Sequence, residues 1–237
     1  MFLRCRRLRF IERRTVWCPT WLGLFCVVIL LLIPTAWWFI CGETFLSLTR
    51  RLPAEILVVE GWIGPDGVRA AAAEFEQHGY QYIVSTGGLT TAEGWSQPGW
   101  SYAEGADSEL VRSGIAKDKI IVAPSRETET QRTYESAVAV WRALKARGIR
   151  PNSLNVLTFG PHARRSHLVF AKAFQPTQVG VIAWAPPGYQ VVPWWRSSSR
   201  AKELIEETAG YVYEALLNSG RASSSPGEGG SKDLARW

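Results

Sequence analysis

The first hydrophobic pattern in the chain is one long apolar run. No charged residue lies between Thr15 and Gly42, and the segment Trp21–Ile40 is almost wholly apolar. About 20 apolar residues in a helix suffice to cross the roughly 30 Å hydrocarbon core of a bilayer. The pattern therefore predicts a transmembrane helix over residues 20–41, in contact with a lipid bilayer. Four tryptophans lie near the two ends of the run, as an aromatic belt requires: Trp17, Trp21, Trp37 and Trp38.

Charges on either side of this run predict its orientation. Residues 1–14 contain six arginines, whereas only Arg50 and Arg51 follow the run closely. Because positively charged flanks stay in the cytoplasm, we expect a basic cytoplasmic tail over residues 1–19 and the body of the chain on the other side. A cleaved signal peptide is the alternative. The run is long and has no evident small-x-small site before Gly42, which favours an uncleaved anchor.

Beyond the anchor, short apolar runs alternate with amphipathic stretches. The apolar runs predict strands at Glu55–Gly61, Tyr82–Thr86, Lys119–Ala123, Leu154–Phe159 and Gln178–Trp184. Helical spacing predicts helices at Pro65–His78, Ser101–Gly114, Thr130–Arg147, Ala163–Phe174 and Arg200–Leu217. Such alternation indicates an α/β domain over residues 54–218, with a mainly parallel sheet between two layers of helices. Residues 42–53 would form a stalk, and the Gly/Ser-rich residues 219–237 a disordered tail.

The charge distribution excludes one class of partner. The net charge is +6, but residues 1–14 carry six arginines against Glu12 and so contribute +5, which leaves +1 for the remainder. A nucleic-acid-binding domain needs a basic face, so we expect no nucleic-acid partner. All four cysteines lie at or before Cys41, and the three histidines are scattered, so no metal site is indicated. These patterns identify no cofactor.

The predicted carboxyl ends of the strands collect glycine and polar residues. Ligands of open parallel sheets bind beyond this edge, and Gly87 and Gly88 would let a ligand approach the backbone closely. The strongest candidate is the turn after Leu154–Phe159, where a strand passes into a helix that begins with His162 and Arg165. Because a helix N-terminus attracts anions, we expect a phosphate or carboxylate site here, with His162 as a candidate acid or base. The alternative is a surface cap beside a solvated arginine.

Five short pieces of the chain match one protein family in order and spacing. They are Arg69 in the helix after the first strand, Ser85-Thr86-Gly87-Gly88, Glu104, Thr133-Tyr134-Glu135-Ser136-Ala137, and Thr158 to Arg165. On these pieces the chain resembles the YdcF-like family, also called DUF218, from about Glu55 to Tyr213. It departs from the family pattern by one inserted residue in the second piece, by Ser136 in place of an asparagine, and by Glu60-Gly61-Trp62 in place of a glycine-rich run.

The resemblance implies a three-layer, Rossmann-like domain tethered to the bacterial inner membrane, on its periplasmic side. Such a protein would serve the maintenance of the cell envelope or of peptidoglycan precursors. Its ligand would be a lipid-linked or nucleotide-like phosphate. In an enzyme of this kind His162 and Glu104 would be catalytic. The ligand-binding set would be Arg69, Ser85, Gly87, Gly88, Thr133, Glu135 and Arg165. The alternative is a non-catalytic scaffold or binding module for envelope assembly that uses the same cleft.

Several of these residues also have a purely structural interpretation. Glu104 completes a capping box with Ser101. Thr133 and Glu135 stand at the start of a predicted helix, where capping and acidic residues are favoured in any case. Arg69 would equally suit a solvent-facing helical position. Five tryptophans fall in predicted loops, where they would pack on the core or form an aromatic rim for a ligand or the bilayer interface: Trp62, Trp95, Trp100, Trp194 and Trp195.

Overall fold

The computed structural model describes residues 20–89, 100–128 and 131–217. The predicted basic tail, most of the loop Leu89–Trp100 including Trp95, and the predicted tail 219–237 lie outside the described residues. Helix α1, Trp21–Leu46, is long and apolar enough to cross a membrane. Its side chains up to Ile40 are mostly exposed, as contact with lipid requires. The described residues divide into two compact units, with the boundary after Ile40.

The second unit is an α/β domain, as predicted. Its strands are β1 (Ile56–Glu60), β2 (Tyr82–Gly87), β3 (Ile120–Pro124), β4 (Ser153–Phe159) and β5 (Gln178–Trp184). Its helices are α2 (Gly64–His78), α3 (Tyr102–Arg112), α4 (Arg132–Ala146), α5 (Ala163–Ala173) and α6 (Ser198–Val212). The five strands form one parallel sheet in the order β3-β2-β1-β4-β5, which is a Rossmann-like arrangement.

Two hydrophobic cores lie on opposite faces of this sheet. Successive side chains of a strand point to opposite faces, and β1 shows the result: Val58 packs against α4 and α5, while Leu57 and Val59 pack against α2 and α3. All five residues of β1 are buried. A central strand buried on both faces requires the continuous apolar run from which it was predicted, so Glu60 at its end is conspicuous.

The predicted stalk differs from the structure, because residues 42–53 pack on the domain. Leu46 at the end of α1 is buried, and Arg50 forms an antiparallel bridge with Val181 of the edge strand β5. The backbone N–H of Leu52 then donates to Asn155 Oδ1 over 2.9 Å. A Cβ atom on Gly180 would lie 2.7 Å from the carbonyl oxygen of Arg50, so this glycine makes room for the segment.

The remaining boundaries agree with the predictions to within about two residues. The expected capping box is present: Ser101 Oγ accepts from the N–H of Glu104, whose carboxylate accepts from the N–H of Ser101. Helix α6 begins earlier than predicted because Ser197 caps it. Its predicted last turn is a π-helical turn over Tyr213–Leu217. The predicted irregular stretch before α6 contains one short 3-10 turn, Trp194–Arg196.

Candidate functional site

The sheet order places one topological switch point, between β1 and β4. The chain leaves β1 towards β2 on one side and returns from β3 to β4 on the other. In such sheets ligands bind beyond the carboxyl ends of the strands at the switch point. A cavity of about 910 Å³ lies at this edge, where Glu60 ends β1 and His162 follows β4. We call it the switch-point cavity.

His162 lies between two carboxylates in the wall of this cavity. Its Nδ1 atom is 3.0 Å from Glu207 Oε1, and its Nε2 atom is 3.5 Å from Glu60 Oε2. The residue is 6% exposed, and the Trp62 ring packs edge-on against it with centroids 4.8 Å apart. The Nε2 atom has no hydrogen-bond partner within the described ranges. The structure therefore holds a buried imidazole with one satisfied and one unsatisfied nitrogen.

The surrounding charges determine the protonation state of His162. Burial alone would lower its pKa, but the charge of Glu60 and the hydrogen bond to Glu207 raise the pKa of His162 to about 9. Burial would likewise raise the pKa of Glu207, but its contacts with His162 and Arg165 lower that pKa to about 2. Burial also opposes ionisation of Glu60, yet the nearby imidazolium keeps the pKa of Glu60 below its ordinary value. At neutral pH, His162 is thus a cation between two anions.

Arg165 completes this group of charges. Its Nε and Nη2 atoms donate to the two oxygens of Glu207, each over 2.9 Å, and Nη1 lies 3.4 Å from Thr133 Oγ1. Its Nη2 atom is also 3.0 Å from His162 Nδ1. Because both groups are donors when His162 is protonated, this is a contact between cations that Glu207 bridges. A two-bond arginine–carboxylate pair of this kind is both strong and directional.

Glu60 is the second anion of the group. It is 1% exposed and accepts a hydrogen bond from Ser166 Oγ over 2.8 Å. With Glu207 it balances the two cations His162 and Arg165, so the four side chains are neutral as a set. We call them the charge quartet. It joins the end of β1, the start of α5 and helix α6.

The start of α4, next to Arg165 in the cavity wall, has the features of an anion site. Among the described residues no side chain caps the start of helix α4, and the residue before it, Gln131, adopts a left-handed conformation with φ 56°. An uncapped helix start presents free N–H groups and the positive end of the helix dipole. Arg126 and Arg132 line the cavity and are exposed, as is Glu127, which lines it next to Arg126.

The glycine turn after β2 closes this side of the cavity. Both Gly87 and Gly88 line it. Gly87 has φ 143°, and a Cβ atom there would lie 2.7 Å from Tyr102 Cβ. The position therefore requires glycine, both for its backbone conformation and for its approach to the start of α3.

The structure brings together five of the nine predicted site residues. His162, Arg165, Thr133, Gly87 and Gly88 all line the switch-point cavity. Of the tryptophans predicted to form an aromatic rim, Trp62 lines the cavity within the described part of the chain. Glu60 and Glu207 join these residues. The position of Glu60 at a strand end gave a signal, but Glu207 lies 45 residues after His162 in a helix that looked like ordinary surface.

The other four predicted site residues do not line the cavity. Arg69 pairs with Asp66 and, over 2.7 Å, with the buried carboxylate of Glu109, because its helix α2 packs against α3. Glu104 is engaged in the capping box, where its carboxylate accepts from Ser101 N and Oγ at 2.7 and 2.9 Å.

Ser85 and Glu135 complete the set outside the cavity wall. Ser85 is fully buried within β2. Glu135 lies in the first turn of α4, and its N–H donates to Gln131 O over 3.0 Å, which is part of the helix itself. Neither side chain lines the switch-point cavity. The acidic side chain favoured near a helix N-terminus is the simpler physical account of Glu135.

A scan against protein-family models and a search of curated proteins find no match to this chain. The resemblance to the YdcF-like family therefore depends on the short motifs alone. Three features of the described residues indicate a functional site: the switch-point cavity, the buried charge quartet, and the start of α4 with two arginines.

Proposed function

We propose that this chain is a membrane-anchored, YdcF-like domain protein that binds a phosphate-bearing ligand in the switch-point cavity. One observation carries the proposal: the uncapped start of α4, with Arg126 and Arg132, opens onto the cavity at the sheet edge where Rossmann-like domains bind ligands. Backbone N–H groups and guanidinium groups together are the donors that recognise phosphate. Arg126 and Arg132 take the role that the sequence had suggested for Arg69.

The charge quartet lines the same cavity and contacts the first turn of α4 through Arg165 and Thr133. Because its four charges cancel, it neither attracts nor repels a phosphate strongly at long range. The attraction then comes from Arg126 and Arg132 together with the N–H groups at the start of α4. His162 is protonated at neutral pH, so it does not serve as a general base there. In the proposal His162 acts as a buried cation, and its unsatisfied donor Nε2 lies beside Glu60.

The membrane context of the proposal follows from the N-terminal pattern. Six arginines precede α1, so its start would lie in the cytoplasm and the α/β domain in the periplasm of a bacterium, at the inner membrane. The ligand class that suits this position is a phosphate-bearing precursor of the cell envelope. A non-catalytic binding module is the second candidate, and the locked, charged state of His162 favours it over an enzyme that uses this group as a base.

The binding test uses the full-length chain in lipid nanodiscs with inorganic pyrophosphate as the probe, measured by isothermal titration calorimetry. Replacing Arg132 by Gln removes one charged donor, so we expect affinity to fall about tenfold, or about 1.4 kcal/mol. The matched control is Arg142→Gln: Arg142 is exposed on the same helix but does not line the cavity. Equal losses in both variants, or no binding by the wild type, would contradict the proposal.

A second measurement separates the enzyme from the binding module. Wild-type protein is incubated with a polyprenyl pyrophosphate, and released phosphate is measured. Release that disappears in His162→Gln while pyrophosphate affinity is retained indicates chemistry at this site. Binding without release at any pH indicates the scaffold.

A further inference from the structure

The loop between β5 and α6 exposes a group of large apolar side chains. Val191 is 81% exposed, Val192 46% and Trp195 49%, and Pro193 between them is also exposed. We call these four residues the apolar tip. Its members do not line the switch-point cavity. Neighbouring large apolar side chains that are exposed are typical of a surface that contacts a membrane or another protein.

The loop around the apolar tip is built as a fixed structure. The N–H of Val191 donates to Gly188 O over 3.2 Å, and the N–H of Arg196 donates to Pro193 O over 3.0 Å, so two successive turns shape it. Trp194 is buried beneath it, with its ring 5.7 Å from that of Trp195 and nearly perpendicular to it. The two turns and the buried Trp194 therefore hold the loop in a defined conformation, in which the apolar tip is exposed.

One buried side chain fastens this loop to the segment that leaves the membrane anchor. The guanidinium group of Arg200 is 8% exposed and donates both to Val192 O and to the carboxylate of Glu43. It also lies over the ring of Tyr189, 4.5 Å from the centroid. Glu43 stands three residues after Ile40, the last residue of the apolar run. At 1.5 Å of rise per helical residue, this is a distance of about 5 Å along α1.

The chemistry of the apolar tip matches the headgroup region of a bilayer. Tryptophan is enriched at membrane–water interfaces because its ring is apolar with one polar N–H group. The exposed Arg196 follows Trp195 directly, and a cation at this depth pairs with lipid phosphates. Arg200 contacts Glu43, which follows the apolar run by three residues in the sequence, so the tip is tied to a residue that lies close in sequence to the membrane anchor.

We propose that the apolar tip inserts into the headgroup region of the membrane that α1 crosses, as a second membrane contact of the chain. Arg200 is the positioning residue, because it holds the tip at Val192 and the anchor at Glu43. The proposal uses the membrane anchoring and is independent of the phosphate ligand. A failure of one therefore leaves the other untouched.

The test places a spin label on the tip of the full-length chain. The four native cysteines are replaced by alanine, Val191→Cys is labelled with a nitroxide, and the protein is reconstituted in nanodiscs of phosphatidylethanolamine and phosphatidylglycerol. The matched control is Val111→Cys, an exposed valine on α3. Helix α3 packs on β2 and β3, at the far end of the sheet from β5, where the segment after α1 runs.

Accessibility to two paramagnetic quenchers gives the answer. We expect the label at residue 191 to relax more with oxygen, which partitions into lipid, than with a water-soluble nickel chelate, and the label at residue 111 to show the reverse. A label at 191 that responds mainly to nickel overturns the proposal. So does strong dipolar broadening between labels at 191, because that result assigns the tip to a contact between two copies. In Arg200→Gln, lipid-side accessibility at 191 should fall while the control stays unchanged.

Discussion

The pKa of His162 determines whether the charge quartet contains two cations at neutral pH. The perturbation that tests it is Glu207→Gln, which keeps the shape of the side chain and removes one of the two negative charges beside the imidazole. The Nδ1 atom of His162 lies 3.0 Å from Glu207 Oε1, whereas Nε2 lies 3.5 Å from Glu60 Oε2. The shorter contact joins the imidazolium to the carboxylate of Glu207, so we expect the loss of that negative charge to lower the pKa of His162 by at least one unit.

The magnitude for the wild type follows from the shift itself. The pKa of His162 rises from 6.5 to about 9, and each unit corresponds to about 1.4 kcal/mol, so the interactions of the imidazolium contribute about 3 kcal/mol. Because the pKa is raised in the folded state, this stability is fully present below about pH 6.5. It is lost as the pH rises from there through about 9. Glu207 shares the same contact, so its lowered pKa is not added to the sum.

The assay is a histidine NMR titration of the full-length protein in nanodiscs, with the imidazole Cε1 position labelled. The chain has three histidines, and the His162→Gln variant assigns the resonance of interest. The matched control is Glu206→Gln: this neighbouring carboxylate is 63% exposed at its side chain and lies 3.7 Å from Lys202. We expect it to leave the pKa of His162 unchanged within a few tenths of a unit.

Two results would refute this reasoning. A wild-type midpoint near 6.5 would show that the two carboxylates do not hold His162 in its charged form. Equal shifts in Glu207→Gln and Glu206→Gln would show that general surface charge, and not the 3.0 Å contact, sets the value. A second measurement covers loss of fold in Glu207→Gln: removing one partner of a buried pair costs about 3 kcal/mol, so tryptophan fluorescence is recorded on each sample.

Two further predictions concern residues outside the cavity. Leu46→Ala should lower the free energy of unfolding of the α/β domain by about 3 kcal/mol, because Leu46 is 1% exposed. Chemical denaturation followed by tryptophan fluorescence measures this free energy. The control Leu216→Ala, at a 72% exposed position, should change it by less than about 0.5 kcal/mol. Glu104→Ala should lower the free energy of unfolding by about 1 kcal/mol, because the capping box is lost, and should leave the affinity for pyrophosphate unchanged. A loss of affinity in a variant that is still folded would indicate that Glu104 binds the ligand.

The secondary structure was predictable because apolar periodicity determines it in this chain. Each predicted strand is buried on both faces or at the edge of a two-sided core, which leaves a mainly apolar run in the sequence. The parallel topology then brings the strand ends to one edge, so His162, Gly87 and Thr133 could be expected near one another. This inference needs only the order of the elements and no knowledge of side-chain contacts.

Side-chain partners over long sequence distances were not predictable in the same way. Glu207 reaches His162 from a helix 45 residues later, and nothing in the local pattern of α6 separates it from the exposed Glu206. Arg69 looked like a cavity arginine, but its partner Glu109 lies on the adjacent helix α3. Which of two adjacent helical carboxylates is buried depends on how the helices pack, and the periodicity of the helix alone does not determine it.

The segment after α1 shows the same limit for the backbone. Residues 42–53 have the composition of a linker, yet they pack on the domain because Gly180 leaves space and Asn155 offers both a donor and an acceptor to Leu52. Asn155 is completely buried in a strand, and a buried amide requires partners. A polar residue inside an otherwise apolar strand therefore indicates that another segment satisfies it. Asn155 is such a residue, so the sequence already contained a sign that another segment packs against β4.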